Sequence, residues 1–248
     1  MFEEIKLDPN NFKFSSQLRL ILIGASQSGK TSWIRQFLKW RNQLCLQPYS
    51  LIIYASPNMA TSYLRHEHDF MDSFRELCAP TEVQFLSQLP ELETVSEYIN
   101  QPEGKVCFIA DDFHSQLWHS STMADMFVRL SSHMGLDCII SSHQGFGKGP
   151  YYSTIFKSAN AIVLFNCLSD QTLNTMLGRK LFPGKKNFIN ICFEKVFRLC
   201  GPYGYLFFSF DNQQPINHRF SIRSRIFPFK DDDGKEKYLP LFFAWKEE

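Results

Sequence analysis

The chain is expected to adopt an α/β fold with a mainly parallel central sheet flanked by helices, on three observations. Short runs of β-type apolar residues are nearly continuous instead of alternating: LRLILIG at 18–24, SLIIYAS at 50–56, KVCFIADD at 105–112, LDCIISS at 136–142 and NAIVLFN at 160–166. Strands covered by helices on both faces have that pattern. Segments of helical periodicity separate the runs, and strand–helix–strand repetition is the mark of a parallel sheet. Finally, a glycine-bearing loop, GASQSGKT at 24–31, joins the first strong strand to a helix.

In chain order, residues 1–16 are polar and mixed and are expected to form an arm laid on the domain. The strand at 18–24 leads through the loop into a helix over 31–44. The strand at 50–56 precedes a helical stretch over roughly 59–78. A short strand at 82–88 and a helix at 91–100 lead to the strand at 105–112 and a helix at 122–134. After the strands at 136–142 and 160–166, helices are expected over 169–181 and 185–197, and the last clear strand is YGYLFFSF at 203–210. The expected organisation is an N-terminal arm (1–16), one domain (17–229) and a C-terminal extension (230–248) that opens on the charged stretch KDDDGKEK.

At 248 residues the chain can bury a sizeable core. Its 25 Phe point to a dense aromatic core or interface, and its net charge of +1 leaves nucleic-acid contact to local patches. Seven Cys without a CxxC pair, and no N-terminal apolar segment, suggest a reduced intracellular protein that is not secreted. No apolar run approaches the ~20 residues needed to span a bilayer. His66 and His68 in HEH lack zinc-hydrolase spacing.

The loop fits G-x-x-x-x-G-K-[ST] at Gly24, Gly29, Lys30 and Thr31, with Ser28 and Ser32 beside them. Glycines let backbone N–H groups curl around phosphate oxygens, and the helix that follows aims its positive dipole end at the same anion. Lys30 is expected to reach the β- and γ-phosphates of ATP, and the Thr31 hydroxyl to ligate Mg²⁺. The strand VCFIADD ends in two acids. Asp111 is the candidate second metal residue and Asp112 the candidate general base. A carboxylate pair there could equally cap a helix; the loop favours the catalytic reading. LDCIISSHQ likewise ends in polar groups at the carboxyl edge, where α/β sheets bind ligands, and His143 or Gln144 is a candidate phosphate sensor.

These motifs define a P-loop NTPase. No NKxD-type base reader of a switch GTPase is present, and a small-molecule kinase would need an arginine lid. The acid pair on its own distant strand suggests the additional-strand, RecA/FtsK-like class, in which one strand lies between the two phosphate motifs. Another P-loop enzyme, such as a helicase or kinase, and a non-catalytic nucleotide-gated assembly protein are the alternatives.

GASQSGKTSWIRQFL, CFIADDF, IISSHQ, SANAIVLFNCLSD, LFPGKKNF, PYGYLFFSF and IRSRIFPF occur in an order and spacing that resemble the FtsK–HerA-type viral genome-packaging ATPases. The likeness is to those of Polinton (Maverick) and adintovirus-like elements and, more distantly, the poxvirus packaging ATPase, over roughly 17–229. It implies a DNA-stimulated ATPase, a homo-oligomeric ring (pentamer or hexamer) that threads double-stranded DNA into a capsid at its vertex. It would work at a virus assembly site in host nucleus or cytoplasm, with no membrane. His143 then takes the Gln position of the family's ITQ pattern. Relatives often carry a basic residue near 134 and an Arg in an NPRD-like stretch, where this chain has Met134 and Ser169. Arg129, Arg179 and Arg223 are therefore the candidates for an arginine finger. Candidate DNA contacts are Arg179, Lys180, Lys185 and Lys186 around a Pro-Gly turn. Lys148, in the Gly- and Tyr-bearing stretch GKGPYY, is another.

Overall fold

The computed structural model describes residues 2–6, 12–14, 17–61, 67–100, 104–143, 148–165, 175, 188–200, 203–210, 221–224, 226–227 and 241–245. Ten strands form one sheet: β1 Phe2–Lys6, β2 Arg19–Ile23, β3 Tyr49–Ala55, β4 Glu82–Leu86, β5 Lys105–Ala110, β6 Asp137–Ser142, β7 Ala161–Phe165, β8 Tyr205–Ser209, β9 Ser221–Arg223 and β10 Leu241–Trp245. Their order across the sheet is β1-β10-β9-β8-β7-β2-β6-β5-β3-β4. The six strands from β7 to β4 run parallel. From β7 outward to β1 the pairing is antiparallel. This confirms the α/β fold with its mainly parallel centre. Of the arm, Phe2–Lys6 is a strand of this same sheet paired with β10 of the C-terminal extension.

Successive residues of a strand face opposite sides, and each side of the sheet carries its own core. Ile21, Ile23, Ile53, Phe108, Ile140, Ile162 and Leu164 lie in one, with Val95, Phe127, Ile155 and Phe193 from the helices over it. Leu20, Leu22, Ile52, Cys107, Ile109, Ile139 and Val163 lie in the other, with Trp33, Phe37 and Phe74. Two-sided burial explains why these strands read as unbroken apolar runs.

Helix α1, Lys30–Leu44, buries Trp33, Ile34, Phe37, Leu38, Arg41 and Leu44, a stripe at three- and four-residue spacing. Phe14 packs edge-on against Phe37 and Phe207, and Phe12 against Phe14 and Phe207. Much of the phenylalanine content is thus core. Helix α2, Glu67–Cys78, ends on the buried Arg41 guanidinium, which donates to the carbonyls of Leu77 (3.1 Å) and Cys78. That placement satisfies the last carbonyls and opposes the negative helix end. Helix α3, Leu92–Ile99, precedes β5.

Of the helical stretch expected over roughly 59–78, the described residues hold a 3₁₀ turn at Pro57–Thr61 and α2. The one expected over 122–134 is three pieces, α5 Ser121–Asp125, a π-helical turn Met126–Leu130 and α6 Ser131–Met134, after a short α4 at Gln116–His119. Helix α7, Tyr152–Ser158, follows β6, and α8, Phe188–Cys200, stands where the 185–197 helix was expected. The expected helix at 169–181 lies outside the described residues except for Thr175. Cys45, Cys78, Cys107, Cys138 and Cys192 are free and buried. Burial pushes the Cys45 thiol up to about 12 and the Cys78 thiol up to about 11, as suits packing residues. Among the described residues no helix is long and apolar enough to cross a membrane.

Candidate functional site

The carboxyl ends of β2, β5, β6 and β3 gather the site. β6 lies between β2, which feeds the glycine loop, and β5, which ends at the acid pair. Past Ile23, Gly24 donates its N–H to the Ser142 carbonyl at 3.1 Å, tying the loop to the end of β6. A Cβ on Gly24 would lie 2.5 Å from Ser28 Oγ and 2.7 Å from Phe165 Cβ, so only glycine fits there. Gln27 and Gly29 adopt left-handed backbone, φ 61° and 101°, and Gly29 starts α1 with no side-chain cap and no acid in the first turn. The helix therefore turns its unsatisfied amides and positive end toward the loop's concavity. Ser28 Oγ is buried and has no hydrogen-bond partner among the described residues, an orphan polar atom in a cradle suited to phosphate. Ser32, in the same first turn, is exposed.

Lys30 is buried, with Nζ donating to the carbonyls of Gly24 and Ala25, each at 2.8 Å, and lying 3.3 Å from His143 Nδ1. Thr31 donates its hydroxyl to Asp111 Oδ2 at 2.8 Å. Asp111 is only 3% exposed. Tyr54, at the end of β3, donates to Oδ2 at 2.7 Å, and Ser141 donates to Oδ1. Burial, and then the negative charge of Asp111, push the Tyr54 phenol far above its ordinary value, so it acts only as donor. Among the described residues no basic side chain pairs with Asp111. A buried carboxylate ringed by hydroxyls and lacking a cation fits a hard divalent ion such as Mg²⁺. Its donated hydrogen bond leaves the Thr31 oxygen's lone pairs available to that ion.

Asp112 sits just beyond the strand in left-handed backbone, φ 67°. Its N–H donates to Ser141 Oγ at 3.1 Å, so Ser141 locks both acids. Oδ2 accepts from Asn58 at 3.3 Å, and Oδ1 faces His143 Nε2 in a direct hydrogen bond. His114, also left-handed at φ 49°, places Nε2 3.7 Å from the same Oδ1 and stacks its ring on His143 at 4.7 Å. His143 thus bridges Lys30 and Asp112.

Lys30, Thr31, Asp111, Asp112 and His143 come together, while Gln144 lies outside the described residues. Tyr54, Ser141, Asn58 and His114 were not singled out from sequence. Tyr54 had one available signal, a phenol at the polar end of an otherwise apolar strand. Of the finger candidates, Arg179 lies outside the described residues and Arg129 is exposed on the π-helical turn. Arg223 is buried in β9 with its guanidinium 4.6 Å over the Phe12 ring. Burial lowers its guanidinium to about 10. That placement does not suit a side chain that must reach a neighbouring subunit. Arg179, Lys180, Lys185 and Lys186 lie outside the described residues. Lys148 is exposed, but the stretch after it is packed: a Cβ on Gly149 would run into the Trp118 carbonyl, and Tyr152 rests edge-on against Trp118.

The fold is that of a P-loop NTPase of the additional-strand, RecA/FtsK-like class. Among solved structures, it is similar to B204, the DNA-packaging ATPase from Sulfolobus turreted icosahedral virus. The TM-score is 0.50 at 13% identity, over 80% of this chain and 95% of that one. The genome packaging NTPase B204 of Sulfolobus turreted icosahedral virus 2, in complex with ATP-gammaS, matches at 0.47 and 14% identity, over 81% of this chain and 96% of that one. The pCW3 conjugation coupling protein TcpA matches at 0.44 and 11%, over 77% and 57%. At such identities the likeness is one of fold alone. No family model and no curated protein matches the chain.

Proposed function

We propose that the chain is the ATP-hydrolysing subunit of a ring motor that moves double-stranded DNA, and that its task is to package viral or transposon DNA into a capsid. The observation that carries the reading is the insertion of β6 between the glycine-loop strand and the acid-pair strand. That arrangement, with the packaging-type motifs along the chain, separates it from kinases and switch GTPases.

Gly24, Ser28, Gly29, Lys30, Thr31 and Ser32 hold the triphosphate. Lys30 exchanges the Gly24 and Ala25 carbonyls for phosphate oxygens. Mg²⁺ at Thr31 and Asp111 would supply positive charge against the phosphates. Asp112 orients the attacking water and takes its proton, while His143 fixes the carboxylate from the far side. Its held, left-handed backbone pre-sets the base toward the loop, a strain of about 1–3 kcal/mol. Arg129 is the described finger candidate that is exposed enough to act in a neighbour's site, and Lys148 an exposed candidate DNA contact.

Steady-state phosphate release, measured with and without duplex DNA over a salt series, tests the motor. Stimulation that fades as salt rises is expected. Hydrolysis indifferent to duplex at low salt would leave a P-loop enzyme of another kind. Particle mass with ATP reports the ring. A Lys30→Ala protein with the wild-type rate would overturn the nucleotide site itself.

A further inference from the structure

We infer that Asp112, His114 and His143 form a site for a borderline transition-metal ion such as Zn²⁺, separate from the Thr31–Asp111 site. Their candidate ligand atoms lie within 4.8 Å of one another. Tetrahedral Zn²⁺ bonded at ~2.0–2.1 Å sets its ligands about 3.4 Å apart. His114 Nε2 and Asp112 Oδ1, at 3.7 Å, are close to that spacing. The His143–Asp112 hydrogen bond must open to admit the ion, and the exposed His114 ring must turn slightly.

Two independent features favour a built site. Asp112 and His114 both hold left-handed backbone, φ 67° and 49°, on either side of Phe113, whose side chain is anchored in the core. That geometry brings two ligands spaced i and i+2 to one side, which neither helix nor regular turn would do for non-glycine residues without strain. The two imidazoles stack at 4.7 Å with 29° between their planes, delivering both rings to one carboxylate oxygen. Two imidazoles and one carboxylate with positions left open form a donor set for Zn²⁺, Co²⁺ or Ni²⁺. Mg²⁺ prefers oxygen ligands.

Lys30 opposes this ion. Its ammonium only donates, so His143 Nδ1 accepts and the ring proton sits on Nε2, toward Asp112. A metal on Nε2 needs that proton moved to Nδ1, where it would confront Lys30. The ion and the resting position of Lys30 therefore exclude each other. A ligand that draws Lys30 away, or its removal, strengthens metal binding. Occupancy in turn takes Asp112 away from the water it serves. This last consequence rests on the proposed role of Asp112; the binding itself does not.

The test uses untagged, nucleotide-free protein titrated with Co²⁺ and read by its visible ligand-field absorption, with Zn²⁺ as competitor and Mg²⁺ in excess throughout. One equivalent bound and displaced by Zn²⁺ is expected. His114→Asn keeps a residue tolerant of left-handed backbone but removes the imidazole. It should weaken Co²⁺ about tenfold or more. Lys30→Ala should tighten it. Equal Co²⁺ affinity in wild type, His114→Asn and His143→Ala would overturn the site. Unchanged affinity in Lys30→Ala would overturn the antagonism. Neither outcome depends on ATP turnover, so each is distinguishable from failure of the ATPase reading.

Discussion

Asp111 and Asp137 are two buried carboxylates on neighbouring strands, at opposite edges of the sheet, and each takes a hydroxyl from a tyrosine of β3. Asp137, at the start of β6, accepts from Tyr49, from the Leu18 N–H at 2.8 Å and from Lys105, whose Nζ is 2.7 Å away. Burial raises its carboxyl above the ordinary value, against the lowering pull of Lys105. Asp111, just past β5, accepts from Tyr54, Thr31 and Ser141, all neutral. One carboxylate carries its cation in the chain. The other is furnished with hydroxyls and has no cation partner among the described residues, and it is the one beside the glycine loop. Burial does not tell the two acids apart, since both are buried; the cation partner does.

If that contrast is right, the two acids should fail in different assays. Asp137→Ala strands Lys105 in the core and should lose about 3–5 kcal/mol of stability in urea unfolding, with nucleotide affinity of the folded fraction unchanged. Joint replacement of Lys105 and Asp137 by apolar residues should recover much of that loss; an unrecovered double variant would make the pair more than a charge balance. Asp111→Ala should instead slow phosphate release about a hundredfold or more, with a much smaller change in stability. If it unfolds the protein as readily as Asp137→Ala does, the two acids are equivalent supports and the contrast collapses. Tyr54→Phe removes one donor from Asp111 and should cost about 1 kcal/mol, visible chiefly as a higher Mg²⁺ requirement. The smallest effect is expected for Ser28→Ala. Losing a buried hydroxyl that has no partner among the described residues should leave the free protein as stable or slightly more so, by under about 1 kcal/mol, while ATP affinity falls. A Ser28→Ala protein that binds ATP normally would take Ser28 out of the cradle.

The parallel centre was legible because two-sided burial writes itself as apolar runs, and β2, β3, β5, β6 and β7 all carry such runs. The glycine loop at 24–31 was legible as a loop because close approach at Gly24 and positive φ at Gly29 dictate its glycines. The inserted strand was inferred from the distance between motifs, and β6 occupies that place. β1, β9 and β10, the strands furthest from the parallel centre on its antiparallel side, were not legible. β9 has three residues, too few for a periodicity, and β1 is mixed in polarity. The partners of Asp111 and Asp112 were hidden for another reason: Tyr54, Asn58, His114 and Ser141 come from three separate stretches of chain, and only the sheet order brings them together. The π-helical turn at 126–130 leaves the 3.6-residue pattern intact enough to look like one helix.

The pairing of β1 with β10 has a consequence for synthesis. Phe2 faces Trp245 and Lys6 faces Leu241. β1 has no β10 partner to pair with until a strand some 235 residues later has left the ribosome. The parallel centre can condense before β10 is made, but this outer ribbon can close only once β10 has emerged. The nascent chain must keep β1 unaggregated for the whole interval.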